Sequence, residues 1–176
     1  AHRARADRAR GLEALLLLRD RVALGTVAAD VIAVGAAPEF RTLTLDKGTN
    51  HGLARDMAVV ASSGVVGRVV TASARAAKVQ LLVDRNAAAG ALVVRSRAQG
   101  LVVGIGEDRL RLEYVSELSD VQIGDEIVTS GIDRIYPKGL VIGAVEAIER
   151  TGVYRDIIVR PAVDFRRLEE VLVVRE

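Results

Sequence analysis

From Val22 onward the chain is written as short β-rich runs broken by glycine, with no helical period between them. The runs are 30–34, 41–46, 57–61, 65–71, 78–83, 91–95, 101–104, 110–115, 126–129, 140–148, 156–160 and 170–174. In Arg41-Thr-Leu-Thr-Leu-Asp46, Leu43 and Leu45 point one way and Thr42, Thr44 and Asp46 the other, the alternation of a half-buried strand. Strands at this spacing predict a barrel or sandwich rather than a parallel sheet. Half of the 176 residues are apolar but only 3% are aromatic, so any core is built from Val, Leu, Ile and Ala.

The body repeats. Leu43-Thr-Leu-Asp46 matches Leu110-Arg-Leu-Glu113 at an offset of 67, and Asp56–Val60 matches Asp125–Thr129 at 69. Gly67–Val70 matches Gly143–Glu146, and Gln80–Val83 matches Asp156–Val159, both at 76. One insertion, the Ser130–Gly139 loop in place of Ala61–Gly64, accounts for the jump. A duplicated small β domain has this signature. Strand counting gives two six-stranded units if the last run, Glu170–Val174, returns to the first and removes a vulnerable edge. The expected division is 22–84 plus 162–176 for the first barrel and 85–161 for the second.

Residues 3–21 read differently. Ala, Arg and Leu dominate, and the first β-branched residue is Val22. A helix over 1–21 is expected, the end of a coiled coil whose seam includes Ala9, Leu12 and Leu16, with Leu12 and Leu16 as the self-association residues. So short a seam predicts a fragment that is monomeric or weakly associated. The segment carries Arg3, Arg5, Arg8, Arg10, Arg19 and Arg21 against Asp7, Glu13 and Asp20, a net +3, whereas the rest of the chain is −1. A nucleic-acid binder is expected to cluster basic groups on its folded face, with aromatics to stack bases, and this body has neither.

Catalytic chemistry finds little support. There is no cysteine, and the only histidines are His2 and His51. His51 lies in the turn-like Lys47-Gly-Thr-Asn-His-Gly52, close in sequence to Ser62, Ser63 and Asp56, and the second barrel has no histidine to match. Adjacent carboxylates such as Asp125-Glu126 point to opposite faces of a strand. Gly104-Ile-Gly106 lacks the third glycine and the helix of a dinucleotide loop. The expectation is no enzyme, no metal and no cofactor.

The runs Arg41–Leu53, Asp56–Val60, Gly64–Val70, Lys78–Asp84, Gly100–Gly104, Val121–Gly131, Tyr136–Gly139 and Arg167–Val174 together resemble the extracytoplasmic domain of the bacterial rod shape-determining MreC family, in the family's order. The resemblance implies a mainly β fold after a coiled-coil helix, anchored by a membrane helix on the extracytoplasmic side of the inner membrane. It implies a non-enzymatic scaffold of the cell-elongation machinery, with a class B penicillin-binding transpeptidase, MreD, RodZ and the MreB system as partners. A β-barrel adaptor of an efflux or secretion complex is the competing class, and it calls for lipoyl-like halves that are not visible. A scaffold binds through a few apolar anchors, and Ile135 and Tyr136 in the inserted loop are the expected pair.

Overall fold

The structure, a computed structural model, describes residues 25–35, 40–152 and 154–175. The helix expected over 1–21, with Leu12 and Leu16, lies outside the described residues. Among the described residues twelve strands run in chain order: β1 (Gly25–Val34), β2 (Thr42–Leu45), β3 (Ala58–Ala61), β4 (Gly64–Ala72), β5 (Ala77–Leu81), β6 (Ala88–Val93), β7 (Gln99–Gly104), β8 (Leu110–Glu113), β9 (Glu126–Thr129), β10 (Val141–Thr151), β11 (Tyr154–Pro161) and β12 (Glu170–Arg175). A 3₁₀ turn, Thr49–His51, follows β2.

The strands close into two six-stranded barrels, β1-β12-β3-β4-β5-β2 and β10-β11-β8-β7-β6-β9. Every ladder is antiparallel, so each barrel satisfies its backbone groups without leaving a free edge. The last strand, β12, pairs with β1 from Gly25↔Arg175 to Asp30↔Glu170 and with β3 at Val173↔Val59. That pairing explains why β1 begins at Gly25 rather than near Asp30. The first half of the strand is drawn out by a partner from the other end of the chain.

The duplication is real but its register differs from the sequence alignment at two strands. Leu43 faces Val79 as Leu110 faces Val159, so β2 and β8 correspond as expected. Val59 faces Gly67 as Ile127 faces Gly143. This pairs Asp56 with Gly124, one residue away from Asp125, and both adopt the left-handed conformation, at φ 70° and 92°. A one-residue slip exchanges the faces of a strand, and the buried Ile127 beside the exposed Glu126 reveals which alignment holds. At β5 and β11 the shift is four residues: Val69 faces Val79 as Val145 faces Val159. The β10–β11 hairpin is the longer one, so a second insertion exists. A run of Val, Leu and Ile hides such slips because the side chains are interchangeable.

Gly67 and Gly143 mark the same crossing in the two copies. A Cβ there would stand 1.8 Å from the Gln80 carbonyl oxygen and 2.0 Å from that of Arg160. No other residue lets the strands approach so closely. The interiors are filled by alternating side chains, among them Leu43, Leu45, Val59, Val79 and Val173 in one barrel and Val102, Leu110, Ile127, Ile157 and Val159 in the other. The buried apolar residues of both barrels form one contiguous cluster.

Candidate partner-binding surface

The junction between the barrels is built on Asp84, which leaves β5 toward β6 and is 1% exposed. Its carboxylate accepts the Arg41 backbone N–H at 2.9 Å, the Gln80 side-chain amide at 2.9 Å and the Asn86 N–H at 3.2 Å. Burial of a carboxylate is tolerable only with such partners. The Arg41 guanidinium then crosses to the β7–β8 turn, donating to Asp108 at 2.6 Å and to the Gly106 carbonyl at 3.4 Å. Arg166, in the segment returning to β12, reaches the other Asp108 oxygen at 3.2 Å. Burial opposes ionisation of Asp108, yet the hydrogen bond and charge of Arg41, with Arg166, hold its carboxyl below the usual range. Gly64 also lies against β10, where a Cβ would stand 2.5 Å from the Val141 carbonyl.

Beside the junction a cleft of about 500 Å³ is lined by Glu107, Asp108, Arg109, Arg160 and residues 161–166. Its arginines are already paired. Glu146 accepts from Arg109 at 2.6 Å and from Arg160 at 2.8 Å, and first Arg160, then Arg109, keeps that carboxyl ionised below its usual range. A cleft whose cations are neutralised in this way offers no anion site.

The inserted Ser130–Gly139 loop is stitched down rather than free. The Asp133 carboxylate accepts N–H groups from Ile135 at 3.0 Å, Tyr136 at 3.1 Å and Gly90 at 2.9 Å. The buried Thr129 hydroxyl donates to the Pro137 carbonyl and accepts from Leu140 N–H. The expected anchor pair sits within this stitched loop. Tyr136 is 2% exposed, and Ile135 packs, partly buried, against the core. Burial pushes the Tyr136 phenol well above its ordinary range, and the charges of Arg68 and Asp56, from the first barrel, act on it. The ring therefore faces inward, into the core. The loop's outward apolar group is Ile132, 74% exposed.

The most exposed of the other apolar side chains are Ile32, Val34 and Phe40 on the first barrel and Tyr114, Leu118 and Ile123 on the β8–β9 loop of the second. The sequence reading missed all six as candidates. Those in the β8–β9 loop were findable, because Tyr114-Val-Ser-Glu-Leu-Ser-Asp-Val-Gln-Ile123 carries apolar groups through a stretch with no strand partner.

His51, Ser62, Ser63 and Asp56 are not drawn into one cluster. Nδ1 of His51 accepts the Gly48 N–H at 3.2 Å and closes its own turn, while Ser62 and Ser63 form the exposed tip between β3 and β4. No hydrogen bond joins them among the described residues. No group of three or more His, Cys, Asp or Glu side chains there could hold a metal, and no helix there is long and apolar enough to cross a membrane.

Two closed barrels, the first completed by the chain's last strand and locked to the second by a buried aspartate, define a class of double-barrel proteins built around surfaces rather than a central pocket. The chain belongs to the MreC family: the family model described as the barrel core of rod shape-determining protein MreC matches residues 31–175. The cell shape-determining protein MreC of Listeria monocytogenes is 31% identical over 138 residues, 74% of this chain and 47% of that protein. The chain spans about half the length of the curated relatives it matches. The crystal structure of MreC from Pseudomonas aeruginosa superposes with a TM-score of 0.82 at 28% identity, covering 86% of this chain and 99% of that one. A chain from a complex between penicillin-binding protein PBP2 and MreC of Helicobacter pylori shares the fold, with a TM-score of 0.66 at 17% identity over 86% of this chain and 100% of that one.

Proposed function

We propose that this chain is part of a non-enzymatic scaffold of the rod-shape elongation machinery, acting outside the inner membrane and holding a class B penicillin-binding transpeptidase. The observation that carries the reading is the family match over residues 31–175 on a body whose two barrels are braced against each other and present apolar side chains outward. The MreC of Helicobacter pylori, in complex with PBP2, supplies the partner class. MreD, RodZ and the MreB system complete the proposed assembly, with an anchor in the membrane. The domain limits 22–84 with 162–176, and 85–161, are part of the same proposal.

A scaffold of this kind works by presenting preformed surfaces, so that binding costs little ordering entropy. Within the inserted loop the proposed contact is Ile132, supported from beneath by Ile135 and Tyr136. Calorimetry against the extracytoplasmic part of the same organism's class B transpeptidase tests it, with affinity expected in the roughly micromolar range of transient contacts. Ile132→Glu is expected to weaken binding while leaving the thermal midpoint unchanged. Tyr136→Ala, which empties a buried ring site, is expected to cost about 3–5 kcal/mol of stability and so acts through the fold. Absence of binding by the unsubstituted chain, or peptidoglycan hydrolysis by it, overturns the scaffold reading.

A further inference from the structure

The β10–β11 hairpin outruns its counterpart in the first barrel. There β4 and β5 pair as far as Ala72↔Ala77, and the turn follows at once. In the second barrel the matching pair is Ile148↔Ile157, after which the strands run on through Glu149↔Asp156, Arg150↔Arg155 and Thr151↔Tyr154. The neighbouring strand does not follow, because β8 pairs with β11 only from Leu110↔Val159 to Leu112↔Ile157. The hairpin therefore projects beyond the closed ring of ladders. Among the described residues, 154–156 of β11 have a strand on one side alone.

The loops after β2 and β8 treat this place differently. After β2 the loop returns to the hairpin turn, where the Thr49 and Asn50 N–H groups donate to the Ser73 and Ala74 carbonyls at 2.8 and 3.0 Å. After β8 no backbone hydrogen bond joins the loop to residues 154–156 among the described residues. Only the Arg155 side chain crosses, donating to the Ser116 and Ser119 carbonyls at 2.8 and 3.1 Å. The chain leaves the strand path at Tyr114, whose φ of 60° is left-handed and rare for a bulky residue. Lys47 holds the same place in the first copy, since Leu45 faces Ala77 as Leu112 faces Ile157, and its φ is not positive. Strain that one copy of the fold does without points to a use for it in the other.

A groove of about 440 Å³ lies between the Tyr114 turn and the start of β11, with Leu112, Val115 and Ile157 in its lining. Its arginines are engaged: Arg111 with Asp156 at 2.8 Å and Glu113 at 4.0 Å, Arg155 with the loop carbonyls. What the groove leaves without a partner is main chain, about 10 Å of strand edge over three residues, beside an apolar strip. Such an edge recognises another extended backbone, whose alternate side chains enter the groove. Glu117 also lines the groove and makes no ion pair among the described residues, so one basic residue on the incoming strand complements it.

We propose that the overhanging edge of β11 is a strand-addition site for an extended segment of a partner protein, with alternating apolar residues and one Lys or Arg. The segment continues the ladder that β8 leaves short. Main-chain pairing supplies the affinity, and the groove with Glu117 supplies the selectivity. Ile132 does not line this groove, so the contact is separate from the one proposed for the transpeptidase.

A random heptapeptide display library panned on the full chain supplies the probe, and the selected sequences are resynthesised with blocked ends. Binding is expected to slow amide exchange at Arg155 or Asp156 roughly tenfold or more. An added strand turns alternate N–H groups toward β11. Methylating one alternate set of peptide nitrogens is therefore expected to abolish binding, and methylating the other set to leave most of it. Glu117→Arg is expected to weaken the basic peptides several-fold, and Ile132→Glu to change nothing. Tyr114→Gly keeps the left-handed backbone available and is expected to retain binding. A library that yields no binder, peptides that protect neither amide, or equal tolerance of both methylated sets overturns the proposal. So does binding of chitotetraose in place of peptides, lost in Tyr114→Gly, which would make the groove a sugar site built on the tyrosine ring.

Discussion

Arg95 shows how one side chain organises a turn. Its guanidinium grips Asp125 through two hydrogen bonds, at 2.8 and 3.0 Å, and reaches Asp120 at 2.7 Å. The Asp125 carboxylate, 7% exposed, also accepts the Gln122 N–H at 2.8 Å. The hydrogen bonds from Arg95 hold the Asp125 carboxyl below its ordinary value, against the opposing effect of burial. A depressed pKa means the folded state binds fewer protons than the unfolded state at acid pH. The stabilisation is therefore complete above about pH 4 and lost as the pH falls through the folded value. Urea unfolding of Arg95→Met is expected to show a deficit at pH 7 that narrows at pH 3. A deficit that stays constant over that range removes the ion pair from the account. The arginine that holds this turn, thirty residues upstream in number, was not legible in the sequence, because its position depends on β6 and β9 being neighbours.

At the scale of elements the decisive strand is β12. Val171, Leu172, Val173 and Val174 are all buried, so both faces of the strand are covered. β12 stands in the first barrel where β6 stands in the second, since Val173 faces Val59 as Val93 faces Ile127. The first barrel is thus completed from the far end of the chain while the second is built from consecutive strands. Truncation after Glu169 leaves β1 and β3 with open edges. Amide exchange of such a truncated chain is expected to show protection lost across β1–β5 and retained across β6–β11. Equal loss in both barrels would show that they unfold as one unit. The alternation within each run made the strands legible, and the count of six per barrel made the return of the last strand a reasonable expectation. The bounds of β1 were not legible, because its first half has structure only by virtue of β12.

For the molecule as a whole, the relation between the barrels determines what surface is presented. Asp84 collects donors from β5, from the residue before β2 and from the entry to β6, and Arg41 carries the connection on to Asp108. Asp84→Ala leaves those buried donors unpaired at a cost of about 1–3 kcal/mol each at most. It is expected to raise amide exchange at Arg41 and Asn86 before either barrel melts. Unchanged exchange at those sites would move the brace elsewhere, to the Gly64–Val141 contact. The sequence by itself determined that this chain is β-built, duplicated and poor in catalytic groups, because alternation, glycine spacing and residue chemistry are local properties written along one dimension. The tertiary structure decided the register of the repeat, the inward turn of Tyr136 and the outward display of Ile132, Tyr114, Leu118 and Ile123. Each depends on which distant strand or loop lies alongside, and an apolar residue carries no mark of whether another surface covers it.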